Sequence, residues 1–164
     1  MRKTIGFRKL GNKVDVTDPS YDKEVWCRMN DVEILPGMYE CFVDIWNNEQ
    51  THGWGDRVAC VGIRRLNSMG VISKNIGEIC VDSGLAGFYE EKPDFTDDDW
   101  SEFCDTIHDN YPTIYLHDRE LGGRLYGFTV SSGYGDGVYP VYATKNSKGQ
   151  VVGLEIYFMC DEEE

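Results

Sequence analysis

Two glycine-rich strings concentrate the residue types that could do chemistry. "VDSG" (Val81 to Gly84) carries Asp82 and Ser83, and "SSGYGDG" (Ser131 to Gly137) carries Ser131, Ser132 and Asp136. If the two turns meet, carboxylates and hydroxyls on tight backbone can hold a cation, position a water or bind a small ligand. Glycines also let a ligand approach the chain. The competing account is structural and is the stronger. Gly133, Gly135 and Gly137 supply positive φ at a corner, Asp136-Gly137 is a common turn dipeptide, and Pro140 then marks an irregular or edge strand. "GYGDG" is neither a phosphate loop nor a dinucleotide fingerprint leading into a helix, and "SSGYG" is out of register with a nucleophile elbow.

A second constellation is purely acidic. Nine carboxylates lie between Glu90 and Asp109, against Lys92 alone. Asp98, Glu102, Asp105 and Asp109 fall on one side of a helical wheel. Like charges at this spacing cost about 0.2–0.5 kcal/mol per pair. Such a stripe is either a solvated helix face or a docking surface for a basic protein. No metal site is expected. His52, His108 and His117 lack the i+4 spacing of a zinc-binding helix, and the six cysteines (Cys27, Cys41, Cys60, Cys80, Cys104, Cys160) include no C-x-x-C pair. Free thiols are expected in a reducing compartment. No cofactor motif is present.

The elements that must position these residues are mostly strands. "MYECFVDIW" (38–46) and "RVACVGIRR" (57–65) read as strands, the second apolar on both faces and therefore central. Residues 78–90 predict two short strands around Ser83-Gly84. "RLYGFTVSS", "GVYPVYATK" and "QVVGLEIYFMC" predict three more, the last two joined by a hairpin at "NSKG" (146–149). In the final strand Val152, Leu154, Ile156 and Phe158 share one face. Between these blocks the period changes: Trp100, Phe103, Cys104, Ile107 and Tyr111 form a helical face, with Thr96 as N-cap and Asp97, Asp98 and Asp99 at the positive end of the dipole, so a helix is predicted over 97–109. Residues 1–30 are weakly patterned, and 161–164 form an acidic tail. The expectation is one mainly β, α+β domain over 1–164: an antiparallel sheet or sandwich with one amphipathic helix packed on it. "VDSGLAGFY" and "VSSGYGDGVY" echo one another, as a duplicated strand-turn-strand unit would.

Four strings, "LPGMYECFVDI", "GDRVACVGIRR", "ICVDSGLAGFYE" and "SSGYGDGVYPVYATKNSKGQVVGLEIYF", together resemble a bacterial family of uncharacterised domains marked by PGxY, RVA, VD[AS]G and a terminal GDGxYPVY. The resemblance spans residues 34–158, with the last string the most specific. It implies a shared β-rich fold and supplies no mechanism.

The formal charge of −13 argues against a nucleic-acid backbone or an anionic membrane as partner. No apolar run is long enough for a membrane span or a signal peptide, so a cytoplasmic location is expected. These features favour a non-enzymatic interaction module, of the kind found among immunity proteins and phage-type inhibitors of basic nucleic-acid-binding proteins. The alternatives are a small hydrolase or metal-dependent enzyme, or a ligand-binding module, at turns 82–84 and 131–137.

Overall fold

The computed structural model describes residues 1–90, 96–108, 116–117, 120–121, 124–125 and 127–159. Within α1 (Asp97–His108) the described side chains are those of residues 97–99, 101, 102 and 105. The strands are β1 (Arg2–Leu10), β2 (Lys13–Thr17), β3 (Met29–Glu33), β4 (Gly37–Trp46), β5 (Arg57–Arg65), β6 (Ile72–Val81) and β7 (Leu85–Tyr89) before the helix. After it come β8 (Leu116–His117), β9 (Glu120–Leu121), β10 (Arg124–Leu125), β11 (Gly127–Ser131), β12 (Gly137–Lys145) and β13 (Val151–Tyr157).

The strands build two antiparallel sheets, a six-stranded one in the order β1-β4-β5-β13-β12-β6 and a five-stranded one in the order β3-β2-β7-β11-β8. Strands β9 and β10 pair separately. One apolar cluster joins the sheets: Tyr39, Val43, Val61, Ile63, Val141, Leu154 and Ile156 from the first meet Val14, Val16, Ala86, Phe88, Phe128 and Val130 from the second. Among the described residues the fold is therefore the expected mainly β sandwich with one helix. β5, apolar on both faces, lies inside its sheet between β4 and β13. The face Val152–Leu154–Ile156–Phe158 is the buried one, and residues 146–149 close the β12–β13 hairpin.

The N-terminal segment differs from expectation, since it holds β1, β2 and the start of β3. Its period is broken by bulges. The β1–β4 register shifts between Thr4 and Gly6, and the β2–β3 register between Val14 and Val16. An extra residue inverts the in-out alternation, so the two-residue pattern disappears from the sequence. The same cause hides the first half of β6, an edge strand whose register slips between Asn75 and Gly77.

α1 starts where expected. Asp99 N–H donates to Thr96 Oγ1 at 3.2 Å and Thr96 N–H to Asp99 Oδ2 at 3.3 Å. This is a reciprocal capping box with Asp in place of Glu. α1 touches β8. The side chains expected on its apolar face (Trp100, Phe103, Cys104, Ile107) lie outside the described residues, as do Tyr111, Asp109 and the tail 161–164.

Candidate functional site

The two glycine-rich strings are the corners at which the chain changes sheets. Residues 82–84 carry it from β6 in the six-stranded sheet to β7 in the five-stranded one, and residues 132–136 carry it back from β11 to β12. The corners touch, with Ser132 N–H donating to Gly84 O at 3.0 Å. Each places a glycine after its serine in the left-handed region, Gly84 at φ 72° and Gly133 at φ 67°. The echo between the strings is thus an echo of backbone geometry.

The hydroxyls at these corners face inward, to the chain itself. Ser132 is fully buried and donates to Gly135 O at 2.7 Å, and the Tyr139 hydroxyl donates to the same carbonyl at 2.6 Å. Ser83 Oγ donates to Asp18 Oδ1 at 2.7 Å. Asp82 is exposed and accepts the Tyr21 hydroxyl at 2.6 Å, while Asp136 is exposed on its turn. A nucleophilic serine needs a base free to take its proton; Ser132 donates to a carbonyl, and the Asp18 carboxylate beside Ser83 already accepts four other hydrogen bonds. Among the described residues no group of three His, Cys, Asp or Glu side chains is placed to hold a metal ion. His52 sits exposed at φ 55° in the 47–56 connection.

The residue that organises the first corner was not singled out from the sequence. Asp18, fully buried, accepts five hydrogen bonds: from Ser20 N and Oγ, Asp82 N, Ser83 N and Ser83 Oγ, at 2.7–2.8 Å. Its local signal is "DPS", an Asp whose carboxylate accepts the amide two residues on. Nearby, Asp15 and Arg28 form a buried ion pair at 2.8 Å, with side-chain exposures of 4% and 1%. Arg28 also donates to Asn30 Oδ1 at 2.5 Å and to Tyr21 O at 3.0 Å, and Asp15 accepts Asp31 N–H at 2.8 Å. This network ties the β2–β3 connection down. Beside it the Tyr89 and Thr129 hydroxyls bond each other in the interior.

Two surfaces among the described residues are candidates for a partner. On α1, Asp98, Glu102 and Asp105 are all exposed. At the corner end of the sandwich an aromatic pair stands out. Trp54 is 69% and Tyr134 56% exposed, their ring centroids are 6.3 Å apart, and the Arg57 guanidinium lies 5.6 Å from the centre of the Tyr134 ring. The loop that carries Trp54 is wired internally. Asn47 and Gln50 exchange side chain–backbone bonds at 2.9–3.0 Å, Thr51 is buried and donates to Gly55 O at 2.7 Å, and Arg57 Nε donates to Trp54 O at 3.2 Å.

The outer face of the six-stranded sheet, by contrast, is covered by its own side chains. Arg2 and Arg64 lie over the Phe42 ring, 4.2 and 5.6 Å from its centre, and Gly62 leaves the room that ring occupies. Glu40 accepts Arg64 Nε at 2.8 Å and the Thr4 hydroxyl, and these bonds hold its carboxyl below the usual carboxylate range.

No curated protein and no solved structure matches the chain. One family model does match, over residues 71–156, from the first exposed residues of β6 through both corners' strands to the end of β13. "VDSG" and "GDGVYPVY" fall within that span, whereas "PGMY" and "RVA" precede it. The matched span exceeds half of the chain, which therefore belongs to the family described as protein of unknown function (DUF4241).

Proposed function

We propose that this domain is a non-enzymatic, acidic interaction module that docks a basic protein through the outward carboxylates of α1. The observation that carries the reading is the joint exposure of Asp98, Glu102 and Asp105 on one helix, in a chain of net charge −13. Three like charges along a helix weaken it and attract a basic groove. Immunity proteins and phage-type inhibitors of basic nucleic-acid-binding proteins use this kind of complementarity, and the cytoplasm is the compartment the reading assumes. The engaged Ser83 and Ser132 hydroxyls weigh against a hydrolase at the corners.

A second reading has its own support. Trp, Tyr and Arg are the side chains that dominate binding hot spots, and Trp54, Tyr134 and Arg57 adjoin one another on a wired loop and a corner turn. In this reading the corner end is the docking surface.

Retention of host-lysate proteins separates the two. Immobilised wild type is expected to hold basic proteins that the D98K/E102K/D105K variant loses and that Trp54→Ala keeps. Loss on Trp54→Ala alone favours the corner end, and equal retention by all three proteins overturns both.

A further inference from the structure

Four cysteine side chains are among those described. Cys41 and Cys60 are buried, whereas Cys27 and Cys80 are partly exposed. These last two adjoin each other. Cys27 ends the loop that leaves Asp18 and runs along the free edge of β6, where Cys80 N–H donates to Cys27 O at 2.9 Å. The Cys27 side chain lies close enough to Cys80 to help push its thiol up. The 2.9 Å backbone bond sets the two residues side by side, as a disulfide requires, since its α-carbons stand roughly 4.4–6.8 Å apart. The loop is held in place on both sides of Cys27, by Arg28 on Tyr21 O at 3.0 Å and by the Tyr21 hydroxyl on Asp82 at 2.6 Å. The native fold thus pays in advance the entropy of bringing the sulfurs together.

We propose that Cys27 and Cys80 are a thiol–disulfide site, which a small disulfide such as oxidised glutathione converts to a reversible bond between the 18–28 loop and the edge of β6. The Cys80 thiol is pushed up to about 11, first by burial, then by the neighbouring Cys27 side chain, and by the charges of Glu78 and Asp82. Exchange begins with attack by a thiolate, in this scheme that of Cys27. Its sulfur attacks one sulfur of glutathione disulfide and expels a glutathione thiolate. Cys80 then gives its proton to solvent, attacks the Cys27 sulfur of the mixed disulfide and expels the second glutathione thiolate. Both leaving thiolates take up protons. The two protein thiols are oxidised and the reagent is reduced to two thiols. The bond fixes the backbone next to Trp26, which is 89% exposed, so oxidation changes the freedom of an exposed aromatic side chain. The site is independent of the docking reading.

The test is to incubate the folded protein with oxidised glutathione, block remaining thiols and map the peptides by mass spectrometry. A Cys27–Cys80 cross-link, reversed by dithiothreitol, is expected as the main product, forming at least about tenfold faster in native buffer than in urea. Cys27→Ser and Cys80→Ser, each checked by circular dichroism for retained strand content, are expected to give no intramolecular bond at this place. The site is overturned if folded wild type yields only glutathione adducts, if its main cross-link joins other cysteines, or if the Cys27–Cys80 link forms as fast in urea.

Discussion

Asp18 shows how one buried carboxylate can decide whether a pair of nearby hydroxyls is chemical or structural. Its oxygens take the Ser83 hydroxyl and the amides of Asp82 and Ser83, so the first corner is built around a charge contributed from the β2–β3 connection. Removing it takes the acceptor from five part-buried donors, at up to about 1–3 kcal/mol each. Asp18→Ala is expected to destabilise the fold by at least about 3 kcal/mol in urea unfolding. Asp136→Asn, at an exposed turn position, is expected to stay within about 0.5 kcal/mol of wild type. The reverse order would return the corners to the site reading. Glu40 makes a prediction of a different kind. The Arg64 bond, followed by the Thr4 bond, lowers its folded pKa, so the unfolded chain binds that proton more readily. The stability it contributes is present above the unfolded carboxyl value, about 4.3, and is lost as pH falls through the folded value. Unfolding midpoints measured down the acid limb should therefore fall less steeply for Glu40→Gln than for wild type; parallel acid limbs would contradict the assignment.

At the scale of elements, legibility followed regular periodicity. α1 was readable because a 3.6-residue apolar face, an N-cap and three acidic first-turn residues all agree. β5 and β13 were readable because uninterrupted alternation or two-faced apolarity needs no knowledge of neighbours. β1, β2 and the start of β6 were not, because bulges at Thr4–Gly6, Val14–Val16 and Asn75–Gly77 invert the period within each strand pair. The corners were half legible. Their glycines announced turns, but nothing local says that each turn moves the chain to the other sheet. Asp18 and the Asp15–Arg28 pair were invisible for the same reason, since their partners are set by tertiary packing, as with the bond across 64 positions from Asp18 to Asp82. The β7–β11 pairing offers a sharp test. A Cβ on Gly87 would stand 1.8 Å from the Phe128 carbonyl oxygen, a clash with backbone that no rotamer relieves. Gly87→Ala is expected to destabilise by about 2 kcal/mol or more. At Gly135 a Cβ meets nothing within 4 Å but φ is 115°, so Gly135→Val costs through backbone strain of about 1–3 kcal/mol. Urea unfolding that ranks Gly87→Ala as neutral would rule out the close strand approach.

For the molecule as a whole, a sandwich whose buried Asp15, Asp18, Arg28 and Ser132 bond to neighbouring groups also presents exposed carboxylates on α1. Among the described residues no helix is long and apolar enough to cross a membrane. The central claim is that the α1 carboxylates steer a basic partner. The most direct measurement is the association rate of a captured partner with wild type and with the D98K/E102K/D105K variant, across a salt series. These three positions are exposed, so the fold is expected to survive the change. If the stripe steers association, the wild-type on-rate falls as salt rises, and the variant associates at least about tenfold more slowly at low salt with a smaller change in dissociation. A variant that binds as fast as wild type at low salt would contradict the account and leave the stripe a solvated helix face.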